Sequence, residues 1–92
     1  MEKTRIIMTE VKSPNGRCVA FQVKGTGEYV TEVDRRGDKY VVLVASEGVF
    51  WDLVAEAWQK SRAINLAQQE ILKRIPNAEF KWNVMSERIR LA

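Results

Sequence analysis

Histidine is absent from the chain, and cysteine occurs once, as Cys18. The first absence removes the commonest general base, a common metal ligand and the usual near-neutral pH switch together. No Cys–His or Ser–His nucleophile pair can form, and a single thiol makes neither an internal disulfide nor a thiolate cage for zinc. The 12 acidic residues are scattered through strand and turn segments without catalytic spacing. These absences point to a protein that is not an enzyme and that carries no cofactor and no metal. Long apolar runs are missing too. The longest, Val41-Val42-Leu43-Val44-Ala45, suits a buried strand and falls far short of the roughly 18 residues of a membrane span. Met1-Glu2-Lys3-Thr4-Arg5 leads into only a short apolar stretch, unlike a signal peptide. A cytoplasmic chain with no membrane partner is expected.

What is present is ordinary for a small globular domain. The 92 residues, 46% hydrophobic and 29% charged, predict a single domain over 1–92 with a limited core. From residue 4 to 45 the apolar residues recur at every second position, as in half-buried strands. Ile7 and Val11 alternate with Ile6 and Met8; Val19, Phe21 and Val23 alternate with Cys18, Ala20 and Gln22. Tyr29, Thr31 and Val33 follow, then Val41, Leu43 and Ala45. Turn signals separate these runs at Ser13-Pro14-Asn15-Gly16, Gly25-Thr26-Gly27 and Arg35-Arg36-Gly37-Asp38. Short turns make neighbours antiparallel, so the segment reads as a four-stranded meander.

The second half changes period. From Ser46, an N-cap residue type, to Ile75, Phe50, Val54, Ala57, Ser61, Ile64, Ile71 and Ile75 follow the spacing of a helical stripe. One long helix over 46–75 is expected, either continuous or kinked around Ser61 to Asn65. Lys73 and Arg74 complement its C-terminal dipole, and Pro76 stops it. Phe80, Trp82 and Val84 then alternate with charged and polar residues, giving a short fifth strand or extended arm over 79–85 before a tail at 86–92. The fold class is α+β: an antiparallel meander of four strands, or five, packed by one long C-terminal helix. This order of elements over residues 4 to 75 resembles that of the small single-strand nucleic-acid-binding modules of the Whirly and PUR-repeat kind. The resemblance lies in the order alone and implies a nucleic-acid-binding role.

The hairpins carry an internal echo. Thr9-Glu10-Val11 and Thr31-Glu32-Val33 match at an offset of 22, which also aligns Arg17 with Lys39, Val19 with Val41 and Phe21 with Leu43. Either a duplication or two hairpins solving one packing problem would produce it, and two units are too few for a repeat architecture.

Two features bear on function. In a meander the first and third turns share one end of the sheet, which gathers Lys12, Arg17, Arg35, Arg36 and Lys39 there. A helix running back from the fourth strand would add Lys73 and Arg74. Such a cluster attracts DNA or RNA phosphates, although solvated turns favour the same residues. The second feature is Trp51, Ala55 and Trp58, which lie on a helical face rotated from the main stripe. Fold-back of the Phe80-Lys81-Trp82 segment would cover them. Otherwise they, with Trp82, would form a homodimer or partner-protein interface, or a base-stacking surface. The leading reading is a small non-catalytic nucleic-acid-binding or nucleic-acid-associated protein using the basic tips. The alternative is a homodimeric protein-interaction or adaptor module using the tryptophan face.

Overall fold

Period-two patterning demands a sheet, and the apolar face of that sheet demands a cover. The computed structural model describes residues 2–13, 16–46 and 50–83, with residues 13, 17, 46, 50 and 51 described by backbone only. The four alternating runs form β1 (Thr4–Ser13), β2 (Gly16–Val23), β3 (Tyr29–Arg36) and β4 (Lys39–Ser46), antiparallel in chain order. Two further strands join them: β5 (Phe50–Ala57), antiparallel to β4, and β6 (Ala78–Trp82), parallel to β1. Between these two lies the helix α1 (Lys60–Arg74). The strand order β5-β4-β3-β2-β1-β6 makes this an α+β domain on a six-stranded, mostly antiparallel mixed sheet. The Pro14-Asn15 turn, Glu47 and residues 84–92, including the expected tail, lie outside the described residues.

The long helix expected from Ser46 is therefore corrected. Ser46 ends β4 and pairs with Phe50, and residues 50–57 are a strand. A β-bulge misdirects the pattern: Val42 pairs with Ala55 but Leu43 with Leu53, leaving Val54 as the extra residue. That insertion breaks the alternation and leaves Phe50, Val54 and Ala57 at helical spacing. The true helix start gives little signal. Gln59 is the N-cap residue without a side-chain capping bond, and no acid occupies the first turn. The helix ends as expected, with Lys73 and Arg74 in its last turn and Ile75 as C-cap. With five strands before the helix and one after it, the element order departs from the four-strand-then-helix layout of the Whirly and PUR-repeat modules.

The sheet-to-helix-to-sheet crossover explains why β6 is parallel. β5 runs towards the end carrying the first and third turns, α1 returns along the sheet, and β6 sets out again beside β1. Its start is pinned: Thr4 N–H donates to the Asn77 carbonyl (3.1 Å), and Asn77 Nδ2 donates to the Glu2 carbonyl (2.7 Å). Phe80 meets Phe21 edge to face, centroids 6.4 Å apart, an arrangement worth about 0.5–1.5 kcal/mol beyond area burial. The outer strand β6 also carries charge, Glu79 lying between Lys3 and Lys81 at 3.8 and 3.3 Å, which discourages further pairing at that edge.

The covered face presents Ile6, Met8, Val19, Phe21, Val33 and Val42, and α1 buries Ala63, Ala67 and Ile71 against it. These three helix residues recur every fourth position, so they form one straight stripe. The opposite face carries Cys18, Ala20, Val41 and Leu43, also buried, with Glu32 and Asp34 among them.

The repeated hairpin does not survive as a repeated packing plan. Glu10 pairs with Val19 on the helix side, whereas Glu32 pairs with Ala20 on the other, so the two Thr-Glu-Val triplets present opposite residues to the core. Likewise Phe21 faces the helix and its counterpart Leu43 faces away. The cause is the bulge at Val30: Phe21 pairs with Thr31 and Gln22 with Tyr29, and one extra residue flips every side chain that follows.

The close seat of the helix is testable. Ala67 has no exposed surface, so Ala67→Leu should lower stability by about 1–3 kcal/mol through overpacking. Gln69→Ala, on the exposed side, should stay within about 0.5 kcal/mol. Urea denaturation midpoints compare the two.

Candidate nucleic-acid interface

The meander brings the strand ends that flank its first and third turns to one end of the sheet. Lys12 pairs with Arg17 beside the first turn, and Arg36 pairs with Lys39 around the two-residue turn Gly37-Asp38. Gly37 has φ of +63°, a conformation that favours glycine and keeps this turn tight. The turns touch: a methyl group on Gly16 would lie 3.7 Å from Arg35 Cδ, so the Arg35 stem reaches across to the first turn. Arg35 Nε donates to the Gly37 carbonyl at 3.2 Å, which holds the guanidinium at the tips. Lys12, Arg35, Arg36 and Lys39 are exposed.

Lys73 and Arg74 are not part of this group. Because residues 50–57 form a strand, α1 starts at the basic end and finishes at the other. Arg74 Nη1 donates to the carbonyl of Ala45, roughly 20 Å along β4 from Lys39 at about 3.4 Å per residue. Lys73 pairs with Glu70 at 2.9 Å. The same topological change brings in residues that the sequence reading passed over. Lys60 and Arg62 stand in the first turn of α1, where the helix dipole is positive and cations are disfavoured. That inversion of the usual charge preference is the signal available in the sequence Gln59-Lys60-Ser61-Arg62.

The acids at this end leave much of the charge uncompensated. Lys60 is bound to Glu10 at 3.0 Å, and Lys39 lies 3.8 Å from Glu56. Asp34 Oδ1 accepts the Arg35 backbone N–H at 2.9 Å. Among the described residues Lys12, Arg36 and Arg62 have no acidic partner within ion-pair distance.

The tryptophans separate. Trp51 and Ala55 lie on β5, opposite Ala45 and Val42, and Ala55 packs on the core rather than on an open helix face. Trp82 pairs with Met8 on β6, across the sheet from β5, and also packs on the core. No shared helical face unites them. Of the tryptophans whose side chains are described, Trp58 is the exposed one, 69% accessible in the link between β5 and α1 and with Lys39 Nζ 5.1 Å from its ring centroid. It therefore belongs to the basic end. Tyr40 packs on the core, and Tyr29 lies at the other end of β3.

On the face away from the helix, the Cys18 thiol, Glu32 and Asp34 bring their ligand-type atoms within 4.8 Å of one another. Burial and then the hydrogen bond and charge of Glu32 push the thiol up to about 12. It is thus protonated at neutral pH and donates to Glu32, a poor state for metal binding or nucleophilic attack. Among the described residues no helix is long and apolar enough to cross a membrane.

The Cys18 arrangement has a pH signature. The folded protein retains the thiol proton above the ordinary thiol value, so this contribution to stability is complete below that value and is lost as pH rises towards about 12. Cys18→Ala should flatten this alkaline fall in unfolding midpoints, and the native thiol should resist alkylation at pH 8 until denaturant is added. Comparison with protein-family models, curated proteins and solved structures yields no match.

Proposed function

We propose that this chain is a small, non-catalytic nucleic-acid-binding protein that contacts phosphates through Lys12, Arg17, Arg35, Arg36 and Lys39, joined by Arg62. The observation that carries this reading is the convergence of two hairpin tips and an acid-free helix N-terminus at one end of the sheet. The overall charge of +3 is modest, so the attraction is local rather than global. Backbone N–H groups of the first helical turn add positive potential at the same end. Binding by such a surface is directed at the backbone and weakens steeply with salt, because each neutralised phosphate releases counterions.

A second reading rests on β5. It is an outer strand, and Leu53 and Val54 are 48% and 38% exposed on it. A second copy adding its own β5 would form a homodimeric, protein-interaction module in place of the tryptophan face expected on a helix.

Fluorescence anisotropy with labelled single-stranded and duplex DNA tests the first reading. Arg35→Glu with Arg36→Glu should lower affinity by about tenfold or more and reduce the salt slope by about one to two. Lys24→Glu and Lys73→Glu, away from that end, should leave affinity nearly unchanged. Equal losses for all variants would reduce the effect to net charge. For β5, sedimentation should give a dimer that Val54→Lys converts to monomer; a monomeric wild type removes the second reading.

A further inference from the structure

We propose that Trp58 is a base-stacking platform that makes the basic end prefer unpaired nucleic-acid strands to duplex. This rests on the reading of that end as a phosphate-binding surface and adds a second recognition element to it.

Trp58 leaves β5 one residue after Ala57, which is buried opposite Tyr40, and stands before the helix begins at Lys60. The ring is therefore anchored between two regular elements and yet lies outside the hydrophobic core cluster. Its 69% exposure is the largest among the exposed bulky apolar side chains of the described residues. Lys39 Nζ sits over the ring at 5.1 Å and lies 3.8 Å from Glu56, so the cation is held from two directions. A cation on one side of an indole leaves the other side for a flat partner. Arg36, paired with Lys39 across the turn, lies nearby for a phosphate of the same strand.

The neighbours decide the occupant. Lys39 lies over the indole, Glu56 and the pair Gln59-Lys60 flank Trp58 in the chain, and Arg36 pairs with Lys39, while the exposed apolar residues Leu53 and Val54 lie farther back along β5. An apolar protein surface would desolvate the Lys39–Glu56 and Lys60–Glu10 ion pairs, whereas a nucleotide offers a π-face to the indole and an anion to the cations. In a duplex the base faces are already stacked on their neighbours. An unpaired strand exposes them, and base–aromatic stacking contributes in proportion to the bases engaged.

The test titrates wild type, Trp58→Ala and Trp58→Phe with a labelled oligothymidylate about twelve nucleotides long, and with a duplex of equal length. Wild type should favour the single strand and show tryptophan quenching on binding. Trp58→Ala should weaken the single strand by about tenfold, within the range for loss of one stacked base, and lose the quenching. Duplex affinity should shift less than about twofold and the salt slope should stay, since the phosphate contacts remain. Trp58→Phe should recover most of the single-strand affinity. Equal loss on both nucleic acids, or no loss on either while the Arg35 and Arg36 reversals still abolish binding, would overturn stacking and leave the phosphate surface standing. Wild type that binds neither nucleic acid would overturn both. Trp58→Ala that instead changes the sedimenting mass would replace the strand by a protein partner.

Discussion

Ala63 and Ala67 have no exposed surface, and their small side chains let α1 lie close over β3, β4 and β5. Ile71 continues the same stripe, and Phe21, Val33 and Val42 supply the floor. From this seat the rest of the architecture follows. A helix that returns along the sheet after β5 delivers the chain to the start of β1, where Asn77 is tied to Glu2 and Thr4. From there β6 can pair only in the direction of β1. The helix also covers one face alone, so Cys18 and its acidic neighbours lie on the other side of the sheet.

The same seat makes the electrostatics lopsided. With a net charge of +3 the chain is only mildly basic, but topology distributes that charge unevenly. Odd-numbered turns share an end, and the strand β5 turns the helix so that its positive pole joins them. Lys73 and Arg74, placed where a C-terminal dipole welcomes cations, serve the helix instead. Cations at the two poles of α1 thus have different meanings. Those at the C-terminus lower the energy of the fold, whereas Lys60 and Arg62 are tolerated against the local field, Lys60 with the help of Glu10.

Much of this fold was legible because period-two alternation survives wherever one sheet face is buried. Val19, Phe21 and Val23 announced β2 without ambiguity, and Pro76 marked the helix end. Two of the failures share one physical source, the β-bulge. At Val54 it shifted apolar residues to helical spacing and hid β5; at Val30 it inverted the faces of the second hairpin and undid the apparent repeat. Neither insertion leaves a glycine or proline at the extra residue to announce it. Of the candidate site, the hairpin cations were readable from turn order alone. Arg62 and the placement of Trp58 were not, because both depend on where the helix begins, and Gln59 supplies no capping bond to mark it.

The parallel ladder between β1 and β6 joins the two extremes of the described chain, Thr4 to Ala78 and Met8 to Trp82. Every other ladder links strands adjacent in sequence. The domain therefore combines low-contact-order hairpins, which close quickly, with one high-contact-order closure. A ribosome releasing the chain presents β1 to β5 before β6 exists, so the outer edge of β1, with Ile6 and Met8 beside it, stays open during synthesis. During that interval the β1 edge is exposed to pairing with a stranger, in addition to the β5 edge that the finished molecule keeps.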